Sequence, residues 1–185
     1  MKNAVVLIDE WNTSRAAVQS GHLMDYNLLK ATLDEVLSSD FECDHIEFII
    51  YVGMPPVRED YADANKSKTG FTNMLESNGF LVKTRLGMPT GGAAFKANVD
   101  TMMCVDACTT LSGADLFLFV TGDGDFSYLV RHIREQLKPA GVASLSIAMS
   151  NDLKNACSFY IELDDIVKSM MPPLKETVDN GSDLV

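Results

Sequence analysis

Nowhere does this sequence run apolar for the roughly 18–20 residues that a membrane-spanning helix requires. Its start holds five apolar residues, Ala4 to Ile8, before Asp9 interrupts, too short a run for the core of a signal peptide. A cytoplasmic protein without a membrane partner is therefore expected. Cysteine is scarce and unorganised: Cys43, Cys104, Cys108 and Cys157 form no CxxC pair, which argues for reduced thiols rather than a disulfide framework or a zinc set. Basic charge is also short, with 15 Lys and Arg against 26 Asp and Glu and a net charge of −11. That balance excludes loose electrostatic adhesion to nucleic acid. It does not exclude an enzyme of nucleic acid, because acids gathered around cations are neutralised in place. The histidines, His22, His45 and His132, are scattered, and none stands with a serine or cysteine as a nucleophile pair. The one Gly-x-Gly, Gly122 to Gly124, lacks the third glycine of a dinucleotide-binding turn. Trp11 occupies the place where a phosphatase of the haloacid dehalogenase type needs its second aspartate.

What is present is an alternation of apolar strands and amphipathic helices. Strands are expected at Ala4–Ile8, His45–Gly53, Phe80–Leu86, Ala114–Thr121 and Val142–Met149, with an edge strand at Phe159–Leu163. Helices are expected at Asp25–Leu37, Asp63–Asn78, Asn98–Ser112, Phe126–Leu137, Asp152–Cys157 and Ile166–Met171. Thr13–Gly21 reads as either a loop or a short helix, and the Gly- and Pro-rich Gly87–Ala94 as a mobile loop. Such alternation implies right-handed crossovers and a parallel sheet covered on both faces. One domain over residues 1–171 is expected, then a disordered tail over 172–185 without a periodic apolar face. Met170 and Met171 beside that tail are candidates for a homo-oligomer or partner contact.

The most informative stretch is Leu116 to Ser127. An unbroken apolar run reads as a strand buried on both faces, and Gly122-Asp123-Gly124-Asp125 then turns the chain into a helix. Helix capping explains one of these aspartates. Two adjacent carboxylates repel and raise each other's pKa, a conflict that a divalent cation with hard oxygen ligands removes. Thr121 and Ser127 add hydroxyls on either side as candidate substrate contacts. Asp9 closes the first strand, with Asn12 three residues on. Asp100 begins the helix that leads into the fourth strand, where an acid is also favoured by the helix dipole. If the first and fourth strands are neighbours, Asp9, Asp100, Asp123 and Asp125 converge on one edge and can serve metal-assisted phosphate chemistry. Asp106 falls on the inward stripe of Val99, Met102, Met103 and Thr110. It must either have a partner or border the site, and it joins the candidate metal ligands.

Three segments together resemble the NYN domain, and within it the LabA-like (DUF88) branch of the PIN-like nuclease superfamily: Val5 to Asp9 with Asn12, Lys96-x-x-Val99-Asp100 with Asp106, and Val120-Thr-Gly-Asp-Gly-Asp-Phe126. The resemblance spans roughly residues 3 to 165 by order and spacing. It implies a three-layer α/β/α PIN-like (Rossmann-like) fold with a central parallel sheet of strand order 3-2-1-4-5. It also implies a Mg²⁺ or Mn²⁺ site and cleavage of single-stranded RNA. Asp9, Asp100, Asp123 and Asp125 match the family's acidic positions, and Asn12 its asparagine after the first strand. Lys96, a substrate contact by this correspondence, stands four residues before Asp100, where the family usually has three. Lys66, Lys68, Lys83, Arg85, Lys96, Arg131 and Arg134 are further candidates for strand contact. The chain carries no added RNA-binding module, so its loops or a protein partner must choose the substrate. The competing reading is an NYN-fold regulatory or RNA-binding module that cuts nothing, which the acidic surface and the departures around Trp11 and Lys96 favour.

Overall fold

The computed structural model describes residues 1–91 and 94–170; the expected tail and Met171 lie outside them, as does the side chain of Met170. Its strands are β1 (Asn3–Asp9), β2 (His45–Met54), β3 (Leu81–Leu86), β4 (Met88–Gly91), β5 (Ala94–Lys96), β6 (Leu116–Val120), β7 (Ala140–Ser144) and β8 (Tyr160–Glu162). Its helices are α1 (Glu10–Gln19), α2 (Tyr26–Ser39), α3 (Ala62–Ser77), α4 (Asp100–Thr109), α5 (Ser127–Glu135), α6 (Asn151–Ala156) and α7 (Asp164–Met170). No helix among the described residues is long and apolar enough to cross a membrane.

The main sheet has the order β3-β2-β1-β6-β7-β8 and is parallel throughout. The expected 3-2-1-4-5 order needs correction in two respects. A ribbon, β4 and β5, is inserted after β3 and among the described residues pairs only with itself, and the edge strand expected at Phe159–Leu163 joins the far side as β8, a sixth strand beyond that order. Strand alternation explains the three layers. Val6, Ile8, Leu118 and Val120 face one core with Leu29, Leu33, Leu75 and Val167. Val5, Leu7, Phe117 and Phe119 face the other with Met103, Leu129, Val130, Ile133 and Leu153. The central strands are buried on both sides, which is why they read as unbroken apolar runs.

Three local readings also change. Of the two readings of Thr13–Gly21 the helix holds, as far as Gln19 and starting earlier, at Glu10, because Asp9 caps α1 by accepting from the Asn12 backbone N–H at 3.1 Å. The Gly87–Ala94 segment is ribbon rather than loop over its described residues. It is pinned by Gly87 N–H donating to the Met54 carbonyl (2.8 Å), by the Tyr61 hydroxyl donating to the Ala94 carbonyl (3.0 Å), and by Phe95 edge-on to Tyr61. A Cβ on Gly87 would collide with the Phe95 ring. Finally, β7 stops at Ser144, and a 3-10 turn at Ser146–Ala148 carries the chain back toward the end of β6.

The topology already selects a site. From β1 the chain moves outward through β2 to β3; from β6 it moves the other way through β7 to β8. The order therefore reverses between β1 and β6, paired in register up to Ile8 against Val120. At such a reversal the connecting helices leave to opposite faces, and a crevice opens outside the carboxyl ends of the two strands.

Candidate functional site

Asp9 is the last residue of β1 and only 5% exposed. One carboxylate oxygen caps α1, and the other accepts from the Thr121 hydroxyl at 3.4 Å. Burial, with Asp100 and Asp123 nearby, pushes its pKa up to about 6, against the lowering effect of the Asn12 backbone hydrogen bond. Asp100 opens α4. Its pKa is also raised, first by burial and then by the charges of Asp123 and Asp125, while Lys96 lowers it. Strands β1 and β6, the start of α4 and the acid turn thus bring Asp9, Asp100, Asp123 and Asp125 into one electrostatic neighbourhood. Lys96, on β5, is the base whose charge reaches Asp100.

The acid turn is held tightly from below. Thr121 is 1% exposed; its hydroxyl accepts from the Asp123 N–H at 3.2 Å while donating to Asp9. Asn12 accepts from the Gly122 N–H at 2.8 Å. Asp123 caps the following 3-10 turn, Gly124–Phe126, accepting from the Asp125 N–H at 2.9 Å. A Cβ on Gly122 would collide with the Ala148 carbonyl oxygen, and one on Gly124 would sit 2.7 Å from the Ser150 hydroxyl. The Gly122 carbonyl accepts from Ser150 N–H at 2.9 Å. Both glycines are therefore required by the close approach of the segment after β7, a bracing role for Ala148 and Ser150 that local pattern gave no sign of. The signal was in the two glycines themselves, read only as turn residues.

Several candidates take other roles. Thr121 is buried beneath the crevice, so it cannot touch substrate; it aligns Asp9 with Asp123. Asn12 works the same way through its oxygen on Gly122. Ser127 begins α5 half-buried and makes no side-chain hydrogen bond among those described. Asp106 has the partner its burial demanded: Lys83 ammonium and Tyr51 hydroxyl each lie 2.7 Å from the same carboxylate oxygen. Tyr51 is fully buried, and that burial with the Asp106 carboxylate holds its phenol well above its usual pKa. Asp106 is thus committed to tying α4 to β2 and β3, away from the four converging acids. Asp106→Ala should cost about 1–3 kcal/mol, the penalty for stranding a buried hydroxyl. It should leave Mn²⁺ affinity and any cleavage as in the wild type. Thermal melts beside a Mn²⁺ titration check this, and a tenfold loss of Mn²⁺ affinity would return Asp106 to the metal set.

The basic candidates divide as well. Lys68 pairs with the buried Glu10 at 2.8 Å, Lys83 with Asp106, and Arg134 donates to the Ala156 carbonyl. Lys66, Arg85, Lys96 and Arg131 remain exposed.

The donor set suits a hard divalent cation: carboxylates only, two of them with raised pKa values and repelling one another. Among the described residues no three His, Cys, Asp or Glu side chains already close on a single point. Mg²⁺ keeps several of its waters and uses one or two carboxylates, so an open acid edge of this kind fits a hydrated ion.

Comparison with known proteins places these features in a wider set. The model of the NYN domain matches residues 3–164. Low amplitude and bright protein LabA of Synechococcus elongatus is 29% identical over 107 residues, 55% of this chain and 58% of that protein. The chain thus spans little more than half the length of this curated relative. The crystal structure of a protein of unknown function from Vibrio parahaemolyticus shares the fold, with a TM-score of 0.71 at 21% identity, covering 89% of this chain and 94% of that one.

Proposed function

The chain belongs to the NYN domain family, and from that membership in a nuclease superfamily we propose that it is a divalent-metal-dependent ribonuclease acting on single-stranded RNA in the cytoplasm. One observation carries the reading. Asp9, Asp100, Asp123 and Asp125 come from three separate segments near the point where the sheet reverses; the charges of Asp100 and Asp123 raise the pKa of Asp9, and those of Asp123 and Asp125 raise that of Asp100. A folding chain gains nothing from placing repelling carboxylates together, so their convergence calls for a cation.

In this reading Asp9, Asp100, Asp123 and Asp125 hold Mg²⁺ or Mn²⁺. Bound there, the ion supplies Lewis-acid stabilisation of phosphate charge and a water of lowered pKa. The protein's own part is placement. Thr121 fixes the Asp9 carboxylate against the acid turn, and Asn12 clamps Gly122 so that Asp123 faces the crevice. Lys96, exposed on its ribbon beside Asp100, meets a phosphate of the strand. Asp125, exposed beyond the capping Asp123, orients the attacking water.

A second reading keeps the fold and the cation but not the chemistry. The acidic balance of the chain, with a net charge of −11, and the departures around Trp11 and Lys96 favour a binding module. The deciding experiment incubates the protein with mixed RNA and DNA in Mn²⁺, beside a chelated control and the Asp123→Asn protein. Metal-dependent loss of single-stranded RNA alone supports the ribonuclease. Binding without any cleavage, across metals and substrates, supports the module.

A further inference from the structure

The aromatic residues divide sharply by location. Among the described residues, every Phe, Tyr and Trp ring but two is buried or half-buried. The exceptions are Trp11, 65% exposed, and Tyr128, 79% exposed. We propose that Trp11 and Tyr128 are stacking platforms for unpaired bases, one on each side of the acid cluster. This rests on the ribonuclease reading and adds which part of the substrate is gripped.

The placement of both rings follows from the fold. Trp11 is the second residue of α1, directly after Asp9; Tyr128 is the second residue of α5, directly after the acid turn. The strands that precede them, β1 and β6, are hydrogen-bonded neighbours. Their helices leave to opposite faces, α1 with Ala16 in one core and α5 with Leu129 and Ile133 in the other. The two exposed residues therefore start helices on opposite sides of the β1–β6 crevice, Trp11 two positions after Asp9 and Tyr128 three positions after Asp125. Neither ring has a hydrogen bond, ring contact or cation–π contact among those described.

Physical chemistry favours bases as the occupant. At a net charge of −11 the chain draws little affinity from phosphate contacts, the usual source of grip on nucleic acid. Stacking does not depend on that charge, and every base offers a π-face. It also discriminates by structure: in a duplex the faces are covered by neighbouring bases, whereas in a single strand they can splay onto a protein ring. Two rings astride the crevice would thus select unpaired nucleotides and hold the phosphates between them over the acids.

Trp11 is the only tryptophan beside five tyrosines, so fluorescence excited at the red edge of the tryptophan band, where tyrosine does not absorb, reads Trp11 alone. The full chain, with chelator present to prevent cleavage, is titrated with single-stranded oligoadenylate and oligouridylate and with a duplex of equal length. Saturable quenching by the single strands and none by the duplex is expected. W11A and Y128A should each weaken single-strand binding roughly five- to a hundredfold, while W11F and Y128F stay near wild type. Both side chains stand in water, so these variants keep the fold. No single-strand binding, or binding with unchanged emission and full affinity in W11A and Y128A, overturns the proposal. So does a change of oligomeric state in W11A or Y128A without a change in RNA affinity, which would make the rings a protein contact. Failure of the nuclease reading looks different: ring-dependent binding by a protein that cuts nothing in any metal. Cleavage and binding unimpaired in W11A and Y128A would leave that reading standing and remove this one.

Discussion

Asp123→Asn protein should leave single-stranded RNA intact in Mn²⁺ while melting, with chelator in place of metal, at about the temperature of the wild type. The loss should be about a hundred- to a thousandfold in cleavage rate, the size seen when one preorganised electrostatic contact to a reacting centre is removed. The unchanged melting temperature is the more discriminating half. Asp123 also has a structural duty, accepting the Asp125 N–H at 2.9 Å. Asparagine keeps an oxygen at that position and caps nearly as well as aspartate. The Asp123 N–H still reaches Thr121, and the Gly122 contacts are untouched. Charge is therefore changed without loosening the turn, and a rate loss cannot be ascribed to unfolding. Cleavage that persists in this protein, or in the wild type with chelator, would overturn the ribonuclease reading.

The second large effect is on stability itself. Without added metal, Asp9→Asn should stabilise the protein by about 3 kcal/mol at pH 7, the equivalent of a shift from 3.8 to about 6. Below the ordinary carboxyl pKa of 3.8, Asp9 is protonated in both folded and unfolded chains and its shift contributes nothing. As pH rises from about 4 to about 6, the unfolded chain has lost the proton while the folded one retains it, so stability falls. Above about 6 the full penalty is present. The advantage of Asp9→Asn should thus grow over that window and level off beyond it. At neutral pH it corresponds to a rise of roughly 6–12 °C in melting temperature for a chain of this size. Saturating Mn²⁺ should stabilise the wild type by mass action and leave Asp9→Asn unmoved. Melting curves at pH 4, 5, 6 and 7, with and without Mn²⁺, check both. An Asp9→Asn protein less stable than wild type at pH 7 would mean that the hydrogen bonds of Asp9 outweigh its burial.

Much of this was legible because local and tertiary preferences agree. The run Leu116–Val120 announces a two-face burial that the sheet confirms, and Asp25 caps α2 through the N–H groups of Asn27 and Leu28 as its position suggested. The juxtaposition of Asp9 with the acid turn followed once β1 and β6 were taken as neighbours. Other features lie in contacts between residues far apart in sequence. The ribbon at Met88–Lys96 has no apolar alternation of its own, and its order comes from Phe95 on Tyr61. The ambiguity of Asp106 could be resolved only by Lys83 and Tyr51, from two other strands. Thr121 looked like a surface hydroxyl beside an acid turn. It is buried, bonded to Asp9 and to the Asp123 N–H, and the neighbouring Gly122 is closed in by the segment after β7, a path hidden in what read as one long strand to Met149.

The ribbon of β4 and β5 has a bearing on how such a domain can diversify. It belongs to no ladder but its own, and it is anchored at its base by Gly87, Phe95 and Tyr61. Lengthening its tip would shift the register of no strand in the main sheet, and each doubling of a loop costs only about 0.6 kcal/mol in closure entropy. Lys96 and the chain that leads to Asp100 sit at its foot. The ribbon can therefore be exchanged between descendants of one ancestor while the strands that carry Asp9 and the acid turn stay where they are, which makes it the natural place to graft a new substrate preference onto an old scaffold.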